Sequence, residues 1–242
     1  MRSARARNVR RRPSRTDGAP LGAPLFVLNL KTYPGVLGPR AVRVAELLER
    51  AGRAAGVAVA VAPAMPDLGR VAAAVRIPVL AQHADPIGPG PSTGFVPATT
   101  LAAAGARGSL VNHSEHPVEF ARAAAVVSEL RSADLVAVVC ARDPGRAGRL
   151  ARLGPPYLAI EPPELIGGTR AVSTARPEIV VRGVAAVHAV SSTTRVLCGA
   201  GIRRAGDVRT AIELGSDGVL VASAVALARS PRVAIEELLA GF

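Results

Sequence analysis

Short runs of β-branched and other apolar residues alternate along this chain with longer Ala/Leu/Arg segments that repeat at helical spacing. The runs predict eight strands: Leu25–Lys31, Val57–Ala62, Val79–His83, Ser109–Asn112, Leu135–Cys140, Tyr157–Glu161, Arg195–Cys198 and Gly218–Ala222. A helical segment follows each, at Pro39–Ala51, Met65–Val75, Pro97–Ala104, Pro117–Leu130, Asp143–Arg152, Pro177–Val190, Arg204–Leu214 and Pro231–Leu239. Proline at or near five of the helix starts (Pro39, Pro97, Pro117, Pro177, Pro231) sits where the first turn tolerates its fixed φ and missing N–H. Gly52, Gly105 and Gly215 close three of the helices.

Strands that are apolar almost throughout belong to a parallel sheet covered on both faces. Eight βα units in about 220 residues predict a single closed (β/α)8 barrel rather than an open doubly wound sheet. No G-x-G-x-x-G follows Leu30. Polar residues gather at the strand C-terminal ends (Asn29, Lys31, Gln82, His83, Asp85, Asn112, His113, Ser114, Glu115, Glu161, Ser223), which a barrel brings to the rim that carries its chemistry.

Composition changes this picture in two places. The formal charge of +12 looks like a nucleic-acid signal, but seven arginines and no acids lie in residues 1–15, leaving 12 − 7 = +5 for the rest. Residues 1–23 therefore read as a disordered basic extension, and 24–242 as the barrel domain. The folded part offers no stacking platform for bases, with no Trp and only four Phe and two Tyr, so nucleic acid is an unlikely partner beyond weak polyanion binding by the extension. No run of 18 uncharged apolar residues is present, residues 1–20 have no secretory apolar stretch, and a transit peptide is disfavoured because they lack an apolar helical face. Cys140 and Cys198 each end an apolar run and read as buried thiols in a reducing, cytoplasmic setting.

Charge type matters as much as charge count. Lys31 is the only lysine among 30 basic residues. A compact ammonium and a planar guanidinium are not interchangeable beside a small anion, so Lys31 is a candidate for chemistry. Asn29 stands two residues earlier, on the same side of a continuing strand. Strand four runs into Asn112-His113-Ser114-Glu115. Strand six runs into Glu161-Pro162-Pro163-Glu164-Leu165-Ile166-Gly167, a carboxylate followed by a stiff hinge, a short apolar tip and a Gly-Gly finish, the pattern of a base attached to a closing lid. Cys198-Gly199-Ala200-Gly201 and Ala222-Ser223 supply small residues where backbone can approach an anion.

These motifs, in this order, resemble the triosephosphate isomerase family, and its compact archaeal-type branch in particular. The resemblance rests on Asn29-Leu30-Lys31, Gln82-His83-x-Asp85, Thr93-Gly94, Asn112-His113-Ser114-Glu115, the Glu161–Gly167 stretch, Val172-Ser173, Cys198-Gly199-Ala200-Gly201-Ile202 and Gly218–Ser223. It implies interconversion of D-glyceraldehyde 3-phosphate and dihydroxyacetone phosphate through a cis-enediolate, in glycolysis and gluconeogenesis. Glu161 would be the general base, His113 the neutral electrophile aided by Asn29, and Lys31 the cation at the developing oxyanion and the phosphate. Asn29, Lys31, Ile166, Gly167, Ser173, Gly201, Ala222 and Ser223 would bind the phosphorylated sugar. No cofactor or metal is implied, and the protein would be a homodimer or homotetramer. Glu115 reads as a partner of Lys31, and His83 and Asp85 as shaping the loop after strand three.

Three stretches depart from the family pattern: Gly167-Gly168-Thr169 where Gly-Thr-Gly is usual, His116-Pro117 where two arginines are usual, and Phe95 with Pro97-Ala98-Thr99-Thr100. The first leaves open an isomerase of the same mechanism acting on a four-carbon ketose phosphate. A metal-dependent epimerase using His83, Asp85, His113 and Glu161, and a non-catalytic barrel with a polyanion-binding tail, are the remaining alternatives.

Overall fold

The computed structural model describes residues 20–162 and 171–242, so most of the basic extension and the lid stretch, with Ile166 and Gly167, lie outside the described residues. Eight parallel strands, β1 (Leu25–Asn29), β2 (Ala58–Ala62), β3 (Leu80–Ala81), β4 (Gly108–Val111), β5 (Val136–Ala141), β6 (Tyr157–Ile160), β7 (Arg195–Cys198) and β8 (Gly218–Val221), pair in the order β2-β1-β8-β7-β6-β5-β4-β3. The two ends of this sheet meet through the bridge Val61↔Val79 and a 3.0 Å hydrogen bond from Val61 N to Pro78 O, which closes the barrel. Around it lie α1 (Pro39–Ala55), α2 (Leu68–Ala74), α3 (Ala98–Ala103), α4 (Phe120–Ser132), α5 (Pro144–Ala151), α6 (Val172–Ala175), α7 (Pro177–His188), α8 (Ala205–Glu213), α9 (Ser223–Ala226) and α10 (Pro231–Leu239).

Strand parity divides the core in two. Leu25, Val27, Ala60, Leu80, Leu110, Val138, Tyr157, Ala159, Leu197 and Leu220 fill the barrel interior. The alternate residues Phe26, Leu28, Val59, Val61, Leu158, Ile160, Val196 and Val219 pack outward against the helices. Both sets are buried, which is why the strands show no polar alternation in sequence. The same parity sets the site: Asn29 continues the inward series Leu25–Val27, and Glu161 continues Tyr157–Ala159.

At the barrel floor the buried Tyr157 hydroxyl donates to Gly22 O at 2.8 Å and accepts from Arg195 Nη1 at 3.2 Å. Leu21 packs against the interior cluster. Leu21 and Gly22 thus contact the barrel, Gly22 because an interior phenol needs an acceptor.

Several elements differ from expectation for local reasons. Lys31 has φ of 50°, so the first strand ends at Asn29 and the same-side argument for Asn29 and Lys31 fails; a left-handed turn brings them together instead. β3 shrinks to two residues because Gln82 turns its amide onto neighbouring carbonyls. The segment expected as one helix from Met65 is a 3-10 turn at Met65–Asp67 followed by α2. α4 begins at Phe120 rather than Pro117, since Asn112 Oδ1 accepts the Val118 N–H at 2.9 Å and Glu119 remains extended. The short α6 was not anticipated.

Close strand approach depends on glycine at two starts. A Cβ on Gly108 would lie 2.1 Å from Val136 O, and one on Gly218, whose φ is +155°, 2.0 Å from Leu25 O. Backbone inside the closed barrel cannot yield. Gly218→Ala should cost about 3 kcal/mol by overpacking, a fall of roughly 6–12 °C in the thermal midpoint for a chain of this size. An unchanged midpoint would show that the β1–β8 register tolerates a side chain there.

Candidate active site

The turn after β1 is held by side-chain hydrogen bonds. Asn29 Oδ1 accepts from Lys31 N at 2.9 Å and from Gln82 Nε2 at 3.2 Å, and the same Gln82 nitrogen lies 3.1 Å from Lys31 O and 3.1 Å from Ala62 O. This arrangement fixes the oxygen end of Asn29 inward to the turn and leaves its NH2 as the donor end. Lys31 Nζ reaches Glu115 Oε1 at 2.6 Å, bringing the tips of β1 and β4 together. The ammonium is 12% exposed and the carboxylate 56%, so Lys31 is mostly shielded while Glu115 still faces solvent.

His113 follows β4 and is buried. Its Nδ1 accepts from Glu115 N at 3.1 Å, which places the ring proton on Nε2. Burial, then the nearby Lys31 ammonium, push the imidazole pKa below its ordinary value, against the opposing charge of Glu115. The ring is therefore neutral and presents an N–H 3.6 Å from Glu161 Oε1.

Glu161, at the tip of β6, is 1% exposed, and its Oε2 has no hydrogen-bond partner among the described residues. Burial raises its pKa to about 7, with partial relief from the Cys140 thiol, Lys31 and the Ser114 N–H, and an added push from Glu115. Gly199 makes room: a Cβ there would stand 2.5 Å from Glu161 Cγ. Burial and the adjacent Glu161 push the Cys140 thiol well above its ordinary value, and burial pushes Cys198 up to about 12, so both remain protonated free thiols.

One cavity unites most of the residues singled out in sequence. Lys31, His113, Glu161, Gly199, Gly201, Ile202, Leu220, Val221, Ala222 and Ser223 line it. Asn29 borders the adjoining cavity shared with Lys31 and His113. Ser173 stands apart from the described lining, its hydroxyl donating to Asp207 O at 3.0 Å. Ile166 and Gly167 lie outside the described residues. Sequence reading noted Gln82 and Cys140 without a site role. Gln82 holds the Lys31 turn and Cys140 sits beside the carboxylate; the signal for both was their position at strand ends. His83 is paired with Asp85 and shares the adjoining cavity with His113, and no group of three or more His, Cys, Asp or Glu among the described residues is arranged to hold a metal.

A cavity at the C-terminal rim of a β/α barrel, holding a half-neutralised buried carboxylate, a neutral imidazole N–H and a shielded ammonium, suits proton transfer next to a carbonyl of an anionic substrate. Known proteins point the same way. The profile of the family described as "Triosephosphate isomerase" matches residues 24–238. The triosephosphate isomerase of Methanothermus fervidus is 45% identical over 216 residues, covering 89% of this chain and 97% of that one. That of Methanosarcina acetivorans is 42% identical over 219 residues, covering 90% and 99%, and that of Caldivirga maquilingensis 43% over 215 residues, covering 89% and 96%. The crystal structure of triosephosphate isomerase from Bartonella henselae superposes with a TM-score of 0.69 at 17% identity, over 90% of this chain and 97% of that one, a likeness of fold. Fold, rim chemistry and near full-length similarity thus agree that this chain belongs to the triosephosphate isomerase family.

Proposed function

We propose that this protein interconverts D-glyceraldehyde 3-phosphate and dihydroxyacetone phosphate, with Glu161 as the base. The observation that carries this reading is the buried Glu161 carboxylate, poised near neutral pH across from the Nε2–H of His113. Glu161 removes the proton from the carbon beside the substrate carbonyl. The C–H pair becomes the C=C bond of the enediolate, and the carbonyl π pair moves to oxygen, where His113 Nε2–H, the Asn29 amide and Lys31 meet the charge. The proton on the neighbouring hydroxyl is then exchanged for one on the former carbonyl oxygen, with His113 Nε2–H between the two oxygens. Glu161 returns its proton to the former carbonyl carbon, the C=C pair forming the new C–H bond and the pair on the deprotonated oxygen the new C=O, so atoms and electrons balance. Lys31 also offers its charge to the phosphate, and the small residues Gly201, Ala222 and Ser223 leave backbone accessible on the opposite side of the cavity. We assign Ile166, Gly167 and Ser173 to the phosphate side of the closed site.

The proposed assembly is a homodimer or homotetramer in the cytoplasm, with residues 1–23 as a basic extension that binds polyanions weakly at low salt. No helix among the described residues is long and apolar enough to cross a membrane. Light scattering tests the assembly. A coupled assay on D-glyceraldehyde 3-phosphate tests the reaction, and four-carbon ketose phosphates should be turned over far more slowly.

The raised pKa of Glu161 has two signed consequences. As a base it must be ionised, so kcat/KM should fall as pH drops through about 7. For stability the sign reverses. Between its unfolded value of 4.5 and about 7 the native state holds a proton the unfolded chain has released, so stability declines as pH rises through this window. Glu161→Gln should abolish most turnover yet raise the thermal midpoint at pH 8, by up to about 3 kcal/mol of stability, with no gain at pH 4. A variant less stable than wild type at pH 8 would contradict the buried-charge account.

Lys31→Arg tests whether position or mere charge matters at the first strand tip. The guanidinium keeps the charge but is wider and planar, and Lys31 already sits in a left-handed turn against Glu115. Activity should drop by about a hundredfold or more, as misplacement on the order of 1 Å allows. Near-normal kcat/KM in this variant would remove Lys31 from the reaction.

A further inference from the structure

The turn that carries His113 and Glu115 ends on a contact the proposed reaction does not use. Residues 113–116 close through a 2.8 Å hydrogen bond from His116 N to His113 O. The ring of exposed His116 then lies flat on that of His83, with centroids 4.3 Å apart and planes within 7°. His83 Nε2 is 3.1 Å from Asp85 Oδ1. Asp85 in turn accepts from Val96 N at 2.8 Å and from Arg122 Nη2 of α4 at 2.5 Å. Burial alone would raise the Asp85 pKa, but the Val96 N–H, His83 and Arg122 together hold it below its ordinary value, so the anchor is charged. A continuous series of contacts therefore runs from α4, through the loop after β3, to the far end of the catalytic turn.

Parallel rings at this spacing keep their in-plane lone pairs in separate planes, so one metal ion cannot accept from both. The pair acts as a strut. We propose that the His83–His116 stack is a positioning element that pins the end of the 113–116 turn, and so holds Glu115 where its carboxylate meets Lys31 and its N–H meets His113 Nδ1. The inference rests on the proposed reading of the site. His116 stands in one of the stretches that depart from the family pattern. The charged and titratable groups that face the stack are Asp85 on the His83 loop, Arg122 from α4, and Lys31, His113 and Glu115 across the adjoining cavity.

Full-length His116→Ala and His116→Phe, assayed on D-glyceraldehyde 3-phosphate from about pH 5.5 to about 9, test the stack. In His116→Ala, kcat should fall about tenfold, with KM near the wild-type value, because a remote loss of position weakens the transition state more than binding. In His116→Phe the stack is kept, so kcat should recover to near the wild-type value. Wild-type kcat and pH profile in His116→Ala, a KM rise at constant kcat, or a His116→Phe as impaired as His116→Ala would each overturn the proposal. The His113 ring resonances of the unliganded protein give a reading independent of turnover. They should shift in His116→Ala and stay near wild type in His116→Phe, and unshifted resonances in the alanine variant would overturn the strut even if the assigned reaction were wrong.

Discussion

Holding the Glu161 carboxylate out of water at the tip of β6 is the constraint to which the rest of the site answers. Strand parity directs the side chain inward after Tyr157 and Ala159, and Gly199 on the neighbouring strand leaves room for it. An ionised carboxylate there lacks solvent, and its Oε2 lacks a partner among the described residues, so the charged form is costly. That cost gives a carboxyl group the basicity needed near neutral pH. Lys31 lowers it and Glu115 raises it, and the same two charges act on His113 with the same signs. Because Glu115 is bonded to Lys31, the pair sets a nearly balanced local field. Lys31 without Glu115 would pull Glu161 toward an ordinary, weaker base.

How much of this was legible in the sequence depended on which physical rule a residue obeyed. Burial of both strand faces made the eight strands visible as continuous apolar runs, and the inward parity of Asn29 and Glu161 follows from the two-residue repeat of a strand. Lys31 was found by its chemistry, whereas its geometry was misread: a left-handed residue after Leu30 carries no periodic signal. The start of α4 was misplaced for a related reason. Asn112 takes the Val118 N–H by a side-chain hydrogen bond, and such bonds override helix propensity without altering the apolar pattern. Contacts between segments far apart in the chain were the least visible, including Gln82 over the Lys31 turn and His116 on His83. Each joins loops whose mutual placement only barrel closure decides.

Likeness to the Bartonella henselae structure at 17% identity makes the same point from the other side. A closed barrel needs small residues where strands approach, such as Gly108 and Gly218, and apolar volume in two layers, and many sequences supply both. The rim is less forgiving, because its side chains must meet at hydrogen-bond distance. Resemblance in fold therefore travels further than resemblance in site, and it is the rim motifs together with near full-length identities of 42–45% that carry the family assignment.

Polar groups are held by hydrogen bonds at both ends of the barrel, although the buried Ser216 Oγ ahead of β8 has no partner among the described residues. At the floor the one interior phenol has both a donor and an acceptor, through Arg195 and Gly22. At the rim Lys31 and Asn112 adopt φ of 50° and 60°, conformations that cost a non-glycine residue about 1 kcal/mol or more each. Asn112 is held there by bonds from Nδ2 to Cys140 O at 2.8 Å and from Val118 N to Oδ1, and Lys31 by Asn29, Gln82 and Glu115. Hydrogen bonds at the rim thus hold strained backbone and an unfavourable carboxylate in place, and left-handed backbone is found at the other end too, at Asp134, whose φ is 56°. Substitutions that relax the rim should gain stability and lose turnover, whereas relief of strain at Asp134, ahead of β5 and away from the site, should gain stability alone.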